Sequence, residues 1–163
     1  VWRGALPPEA TATALALCGA LIGFAPFNRP VAKLFLGDVG SLPIGLLLGW
    51  LLIALAEHHL AAALLLPLYY VADATITLLR RLVHGERITQ AHRSHFYQRA
   101  VDGGLGVYPV VARIFVVNIS LTVLAASTLH ASPGVTLLAL AGGGALVAAL
   151  LTTFSRAKVA LSR

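Results

Sequence analysis

The sequence predicts an all-α protein: a polytopic transmembrane bundle of about five spanning helices, within a single membrane domain over residues 1–163. Hydrophobic residues make up 58% of the 163 residues and charged residues only 11%, whereas soluble domains carry about 25% charged residues. The apolar residues gather into five segments, each close to the roughly 20 residues that a spanning helix needs. Because lipid offers the backbone no hydrogen-bond partners, a single spanning segment must be a helix. The predicted spans are about 11–27, 41–57, 60–79, 107–127 and 135–154.

The distribution of charge predicts the orientation of the spans. The net charge is +6, and ten of the twelve Lys and Arg residues lie in 28–41, 80–106 and 155–163, which flank the apolar segments. The positive-inside rule then places the loops at about 28–40 and 80–106, and the C-terminus, on the cytoplasmic side. Basic residues arranged in this way anchor spans, so we expect no nucleic-acid binding.

The segment 28–41 between the first two spans contains Asp38, flanked by Gly37 and Gly40. A carboxylate beside membrane spans is costly unless it binds a cation or a substrate. Ser41 is predicted to be the N-cap of the following helix, whose free N–H groups would favour an anion. A Mg²⁺ ion bridging Asp38 to a diphosphate would satisfy both groups. The alternative is that Asp38 caps the helix and pairs with Lys33, and the spacing does not separate the two.

A second polar group lies at the end of the third predicted span. Arg80 follows Asp73 by seven residues, so the two share a helix face. Asp73 is predicted to orient a substrate or a basic partner, since an intramembrane Asp is functional by default. Arg80 or Arg81 could reach a phosphate at the interface, although a structural ion pair and ordinary positive-inside anchoring are favoured for the two arginines.

The third group lies in the loop 80–106. If this loop is helical, His92, His95 and Arg99 fall on one polar face. Imidazole and guanidinium groups together suit a diphosphate, and two histidines with no third ligand nearby do not favour zinc. The alternative is a solvated loop with no specific ligand.

Taken together, these segments resemble the C-terminal half of the polyprenyl-phosphate sugar-1-phosphate transferases, which are glycosyltransferase family 4 and include the MraY-like and WecA-like enzymes. The resemblance covers about residues 28–106. The residues that carry it are Asn28-x-Pro30-x-Ala32-Lys33-x-Phe35-x-Gly37-Asp38-x-Gly40-Ser41, then Asp73 with Arg80-Arg81, and then Arg93-x-His95 with Arg99.

The resemblance implies transfer of a sugar 1-phosphate, of the N-acetylhexosamine type, from a UDP-sugar to polyprenyl (undecaprenyl) phosphate with release of UMP. It implies a Mg²⁺ cofactor, with Mn²⁺ as a substitute, at the cytoplasmic face of a multi-pass protein of the bacterial inner membrane. Asp38 is implied as a catalytic metal ligand and His95 as a catalytic group on the diphosphate. The implied substrate-binding residues are Asn28, Lys33, Asp73, Arg80, Arg81, Arg93 and Arg99.

Two departures from the family pattern bear on these expectations. The family's histidine motif reads Asp-Arg-x-His-x-His-His, but here Tyr97 and Gln98 replace two of its histidines. This variant looks like the branch that initiates O-antigen or other surface polysaccharides, rather than the peptidoglycan branch. The family's aspartate-rich motif and metal-binding Asn have no counterpart in this sequence, so we expect a C-terminal fragment that is inactive alone.

A rival interpretation is a transporter or a non-catalytic membrane subunit that uses Asp73 in a proton or cation path. The composition permits it, but the segment 28–41 has no role in it. The sequence gives no oligomeric state, and a homodimer is compatible with it.

Overall fold

A computed structural model describes residues 4–28, 32–87 and 93–157, and within them it is helical with no strand. This confirms the predicted all-α class. The helices are α1 (Pro8–Phe24, followed by a 3₁₀ turn at Ala25–Phe27), α2 (Gly37–Leu65), α3 (Leu68–Val83), α4 (Phe96–Asp102), α5 (Val107–Ser127) and α6 (Pro133–Arg156).

Four described helical segments are long and apolar enough to cross a membrane, in agreement with a polytopic bundle: Pro8–Phe27, Gly37–Leu65, Val107–Ser127 and Pro133–Arg156. The segment predicted as a third span, 60–79, differs from the prediction because it is divided between two helices. Its first part completes α2, and α3 begins only after Pro67. Proline lacks an N–H and its ring blocks the preceding helical turn, so a break at this position is expected.

At the predicted connection near residues 57–59 the range Gly37–Leu65 is kinked, so two helical segments meet there. Within α2 the backbone leaves helical geometry only at His59, with φ −138° and ψ 58°. The number of spans and the side of the membrane that each loop faces stay predictions.

The chain divides into two compact units, Val1–Ala63 and Leu64–Arg163. The first unit contains α1 and most of α2, which line an apolar groove through Leu17, Leu21, Leu48 and Leu51 among others. Its candidate site lies where α2 begins.

The second unit contains the end of α2 and helices α3 to α6. Its largest fully buried side chains are Tyr69, Phe154, Leu65, Leu121 and Val110. Helix α6 approaches its neighbours closely at Gly143, because a Cβ there would lie 2.5 Å from Leu65 Cδ2 and 3.2 Å from Leu121 Cδ2. This close packing supports α3 and α4, which carry the second group of candidate residues.

Candidate functional site

The structure shows why glycine stands at both positions near Asp38: the backbone conformation requires it at Gly37, and a neighbouring side chain requires it at Gly40. Gly37 has φ +59°, in the left-handed region, which residues with a Cβ adopt only at a cost. A Cβ at Gly40 would lie 2.6 Å from Leu36 Cγ. The chain therefore turns sharply at Gly37 and enters α2 at once, which places Asp38 in the first helical turn.

The prediction that Ser41 is the N-cap of this helix is wrong. Helix α2 already begins at Gly37, so Ser41 lies inside the helix. The left-handed turn at Gly37 allows the earlier start, and this conformation is not visible in a pattern of cap residues.

The loop before α2 is closed by hydrogen bonds to its own backbone. The carbonyl of Phe27 accepts the N–H groups of Lys33 at 2.9 Å and Leu34 at 3.2 Å. The Asn28 side-chain amide donates to the carbonyl of Leu34 at 3.1 Å. Asn28 therefore has a structural contact in addition to its predicted substrate role. Pro30 of the motif lies outside the described residues.

Asp38 is exposed, and so is Lys33. Within the described part of the chain no ion pair joins them, so the alternative in which Lys33 neutralises Asp38 gains no support. The same residues contain no group of three or more His, Cys, Asp and Glu side chains that could hold a metal. Mg²⁺ is usually held by one or two carboxylates together with waters and substrate phosphates. One exposed carboxylate fits that kind of site as a single protein ligand.

In the second unit, Asp73 joins α3 to the start of α4. It is 4% exposed, and its Oδ1 accepts hydrogen bonds from Thr77 Oγ1 and from the backbone N–H of Phe96, both at 3.1 Å. The same oxygen lies 3.2 Å from His95 Nδ1. Of the two roles predicted for Asp73, this geometry matches the orientation of a basic partner, and the partner is His95.

Arg80 and Arg81 have different environments. The Arg81 side chain is 7% exposed, and its Nε donates to Glu86 Oε2 at 2.8 Å. A second guanidinium nitrogen of Arg81 donates to the carbonyl of Arg87 at 2.7 Å. These contacts favour a structural role for Arg81. Arg80 is exposed, and its guanidinium carbon lies 5.8 Å from the centre of the Phe96 ring, within the range of a cation–π interaction.

The turn after α3 makes the Arg81 contacts possible. Gly85 has φ +69°, the N–H of Glu86 donates to the carbonyl of Arg81 at 2.9 Å, and the N–H of Gly85 donates to the carbonyl of Leu82 at 3.0 Å. This is the hydrogen-bond pattern of a Schellman C-cap. It folds the chain back, so that Glu86 reaches the guanidinium group of Arg81.

A basic cavity of about 220 Å³ lies beside this turn. Its lining includes Arg80 and Arg99, which can both donate charge-assisted hydrogen bonds to a phosphate. The full lining is Thr77, Arg80, Arg81, His84, Glu86, Ser94 and Arg99. Arg93 takes another direction, since its guanidinium lies 3.5 Å from Asp102 Oδ1 in an exposed pair.

The predicted polar helix face of His92, His95 and Arg99 is not what the structure shows. His92 lies outside the described residues, and α4 begins only at Phe96, so His95 precedes the helix. His95 lines a different cavity from Arg99. The reason is that the N–H of Phe96 donates to Asp73 Oδ1 and so fixes the start of α4 one residue after His95.

The cavity that His95 lines is largely aromatic and has a volume of about 470 Å³. Tyr97 stacks on His95, with ring centres 5.8 Å apart and planes at 20°. The Asn118 amide donates to the Tyr70 hydroxyl at 3.0 Å. The cavity is lined by Tyr69, Tyr70, Asp73, His95, Tyr97, Val111, Ile114, Phe115 and Asn118.

Sequence reasoning missed three polar residues of this cavity. The Tyr69 hydroxyl is buried and interacts with Asp73. The side-chain oxygen of Asn118 is buried and has no hydrogen-bond partner among the described residues, and the Tyr70 hydroxyl accepts a hydrogen bond from the Asn118 amide. A signal was present for Asn118, because a polar amide inside a predicted span is unusual. No comparable signal distinguished Tyr69 and Tyr70 from ordinary interfacial tyrosines.

Comparison with known proteins gives partial matches. The model of the glycosyl transferase family 4 matches residues 6–56, which include α1, the closed loop and the Asp38 turn. A phospho-N-acetylmuramoyl-pentapeptide-transferase of Limosilactobacillus reuteri (strain DSM 20016) is 38% identical over 73 residues, which cover 45% of this chain and 22% of that protein.

Two further relatives carry the same name. The protein of Enterococcus faecalis (strain ATCC 700802 / V583) is 46% identical over 66 residues, 40% of this chain and 20% of that protein. The protein of Streptococcus pneumoniae (strain Hungary19A-6) is 36% identical over 96 residues, 55% of this chain and 28% of that protein. The matched part of the chain thus spans less than a third of the length of these relatives. No solved structure matches the chain.

Proposed function

We propose that this chain is part of a polyprenyl-phosphate sugar-1-phosphate transferase of glycosyltransferase family 4. The observation that carries the proposal is the Asp38 turn, in which a left-handed glycine places an exposed carboxylate in the first turn of a helix. The family match covers this turn, and the relatives are named phospho-N-acetylmuramoyl-pentapeptide-transferase. The reaction would move a sugar 1-phosphate from a UDP-sugar to a polyprenyl phosphate and release UMP at the cytoplasmic face of a bacterial membrane.

Catalysis of phosphoryl transfer consists mainly of positioning and charge neutralisation. Asp38 is the residue that would hold Mg²⁺ or Mn²⁺, and the ion would neutralise charge on the diphosphate. The N–H groups at the start of α2 favour negative charge at the same position.

The second unit would supply contacts to phosphate and to the lipid. Arg80 and Arg99 line the basic cavity and suit phosphate oxygens. His95 lies at the aromatic cavity, where it would contact the diphosphate or the acceptor phosphate. The apolar walls of that cavity suit a prenyl chain better than a sugar.

The donor sugar is the finer part of the proposal. Tyr97 and Gln98 in place of two histidines favour the initiation of O-antigen or another surface polysaccharide, and the family resemblance suggests a donor of the N-acetylhexosamine type. The names of the relatives favour a second candidate, transfer of phospho-N-acetylmuramoyl-pentapeptide. UMP release measured with each of the two UDP-linked donors in turn would separate the candidates.

The decisive experiment for the reaction is Asp38→Asn, made in the gene product that carries this sequence and assayed in lipid with Mg²⁺, UDP-sugar and polyprenyl phosphate. We expect UMP release to fall by about 100-fold or more, because loss even of groups that only support a metal ligand costs 10–100-fold. Glu9→Gln is the matched control, since Glu9 is also an exposed carboxylate in a first helical turn. Equal activity of both variants would remove Asp38 from the reaction.

The transporter interpretation makes a different prediction. Its proton or cation path would run through Asp73, yet Oδ1 of this buried carboxylate is already engaged by three groups. Solute or proton flux in vesicles without any UDP-sugar would favour the transporter, and UMP release without flux would exclude it.

A further inference from the structure

We propose that the basic cavity binds the phosphate of a membrane lipid, and that the chain of the same lipid lies in the aromatic cavity beside it. The lipid is a long-chain phosphate monoester. In the proposed reaction it is the polyprenyl phosphate acceptor and not the UDP-sugar, so the role of the site in catalysis rests on the proposed function. The binding itself can be tested without any reaction.

The two cavities lie next to each other along the same parts of the chain. Asp73 lines the aromatic cavity, and Thr77, one turn further along α3, lines the basic cavity. The Thr77 hydroxyl donates to Asp73 Oδ1 at 3.1 Å, so the two linings touch at this hydrogen bond. Ser94 and His95 are consecutive residues and line the basic and the aromatic cavity respectively. One elongated ligand can therefore reach both cavities.

The charges of the basic cavity suit a phosphate monoester. Its lining contains three arginines, Arg80, Arg81 and Arg99, and one carboxylate, Glu86. Glu86 is paired with Arg81, and among the described residues no ion pair includes Arg80 or Arg99. A guanidinium group can bind phosphate oxygens bidentately. Because a phosphate monoester carries a charge of about −1.5 to −2 at pH 7, it matches these two arginines better than a phosphodiester does.

The aromatic cavity suits an apolar chain. Its volume is about 470 Å³, against about 220 Å³ for the basic cavity. Tyr70, Val111 and Phe115 are more than half exposed in its lining, and the Asn118 amide is bonded to the Tyr70 hydroxyl. The hydrogen-bonding groups of a uridine or a sugar would mostly face apolar atoms here, which is costly. A prenyl chain has no such groups and gains free energy when these side chains cover it.

The surface around Arg80 favours a phosphate that arrives from the lipid side. Leu79, Leu82 and Val83 belong to the last turns of α3, and each is more than half exposed. Exposed apolar side chains that are grouped in this way mark a contact with lipid or with another protein. An arginine among them can keep its apolar stem in lipid and its guanidinium at the membrane surface, where lipid phosphates lie. Arg80 is therefore placed to meet a lipid phosphate.

The first test is the binding of undecaprenyl phosphate to the gene product that carries this sequence, purified in detergent and followed by native mass spectrometry. We expect Arg80→Gln and Arg99→Gln each to raise the Kd by about 10-fold, the usual cost of losing one hydrogen bond to a charged group. Arg80→Lys keeps the charge but not the bidentate geometry, so its Kd should lie between those of Arg80→Gln and the wild-type protein. Arg113→Gln is the matched control and should leave the Kd unchanged, because Arg113 is exposed like Arg80 but lines neither cavity.

Two further probes separate the phosphate from the chain. Phosphatidylglycerol, a phosphodiester, should bind more weakly than undecaprenyl phosphate. Isopentenyl phosphate has a single isoprene unit, so its binding should respond to the arginine variants but not to Phe115→Ala. Phe115→Ala should weaken the binding of undecaprenyl phosphate by about 3- to 10-fold, because part of the apolar wall is lost. Ile119→Ala is the control for this variant, since Ile119 is exposed on the same helix and lines neither cavity.

UMP release separates the acceptor from the donor. We expect Arg80→Gln and Arg99→Gln to raise the KM for polyprenyl phosphate by about 10-fold, while the KM for the UDP-sugar stays unchanged. A rise in the KM for the UDP-sugar instead would overturn the proposal.

Three binding results would also overturn it: equal binding of the two lipids, equal Kd values for Arg80→Gln and Arg113→Gln, or no binding of undecaprenyl phosphate by the wild-type protein. The last result would mean that another protein surface covers this side of α3. If the wild-type protein binds undecaprenyl phosphate as described but releases no UMP, the proposed function fails and the lipid site stands.

Discussion

Replacing Gly40 with alanine should destabilise the start of α2 through a contact with Leu36. The added Cβ would lie 2.6 Å from Leu36 Cγ and 2.9 Å from Leu36 Cδ1, well inside the 3.5–4.0 Å at which carbon atoms attract each other. Leu36 is 36% exposed, so its side chain has space to change rotamer before the backbone must move.

The magnitude has two opposing parts. Relief of the clash costs about 1–3 kcal/mol, the range for an added methyl group in a packed site, with the lower end expected for a half-exposed leucine. Alanine is more favourable than glycine inside a helix by about 1 kcal/mol. Gly40→Ala should therefore destabilise the wild-type protein by about 0–2 kcal/mol. In a Leu36→Ala background the clash is absent, and the same change should stabilise by up to about 1 kcal/mol.

A double-mutant cycle over Gly40 and Leu36 measures the difference, with an expected coupling of about 1–3 kcal/mol. Thermal unfolding in detergent, followed by circular dichroism, has the needed sensitivity, since 1 kcal/mol shifts Tm by about 2–4 °C for chains of this size. Gly49→Ala is the matched control in the same helix, because a Cβ there would have no neighbour within 4 Å. It should show no coupling to Leu36.

A Gly40–Leu36 coupling below about 0.5 kcal/mol, the scatter of independent sites, would refute the steric explanation for this glycine. Because Gly40 lies two residues after Asp38, UMP release should follow the same pattern. It should fall in Gly40→Ala and recover in the double variant. Recovery of stability without recovery of UMP release would mean that Gly40 acts on the reaction in another way.

Two further predictions concern the turns that hold the candidate residues. Gly37→Ala should destabilise by about 1–2 kcal/mol, because φ +59° is costly for a residue with a Cβ, and Gly37→Asn should cost less, since asparagine tolerates this region. Unchanged Tm values for both variants would contradict the need for a left-handed residue. Arg81→Ala should destabilise by about 2–3 kcal/mol, since a buried guanidinium loses two charge-assisted hydrogen bonds. Glu86→Ala should cost about 1 kcal/mol or less, because that carboxylate is 55% exposed. Equal losses of stability in Arg81→Ala and Glu86→Ala would mean that Arg81 stabilises the protein through its ion pair with Glu86 alone.

Composition and motif spacing predicted the features of the structure that depend on a short stretch of sequence. The helical class followed from apolar segments that cannot satisfy their backbone in lipid in any other way, and the segment predicted at 107–127 is the helix Val107–Ser127. The Gly37-Asp38-x-Gly40 pattern was recognised as a candidate site from the sequence. The start of the helix that follows was wrongly predicted at Ser41. Glycine can adopt a left-handed φ but does not require it, so the sequence alone does not show that the chain turns at Gly37.

The sequence by itself therefore determined a helical membrane protein, its basic loops and the residues that carry a family resemblance, since hydrophobicity and charge act residue by residue. Only the tertiary structure decided which polar groups meet. Asp73 contacts His95, 22 residues away, and the arginine that pairs with Glu86 is the buried Arg81 and not Arg80. His95 and Arg99 line two different cavities. Helical periodicity could not supply the two pairings, because each one crosses the turn after α3, which is set by backbone hydrogen bonds.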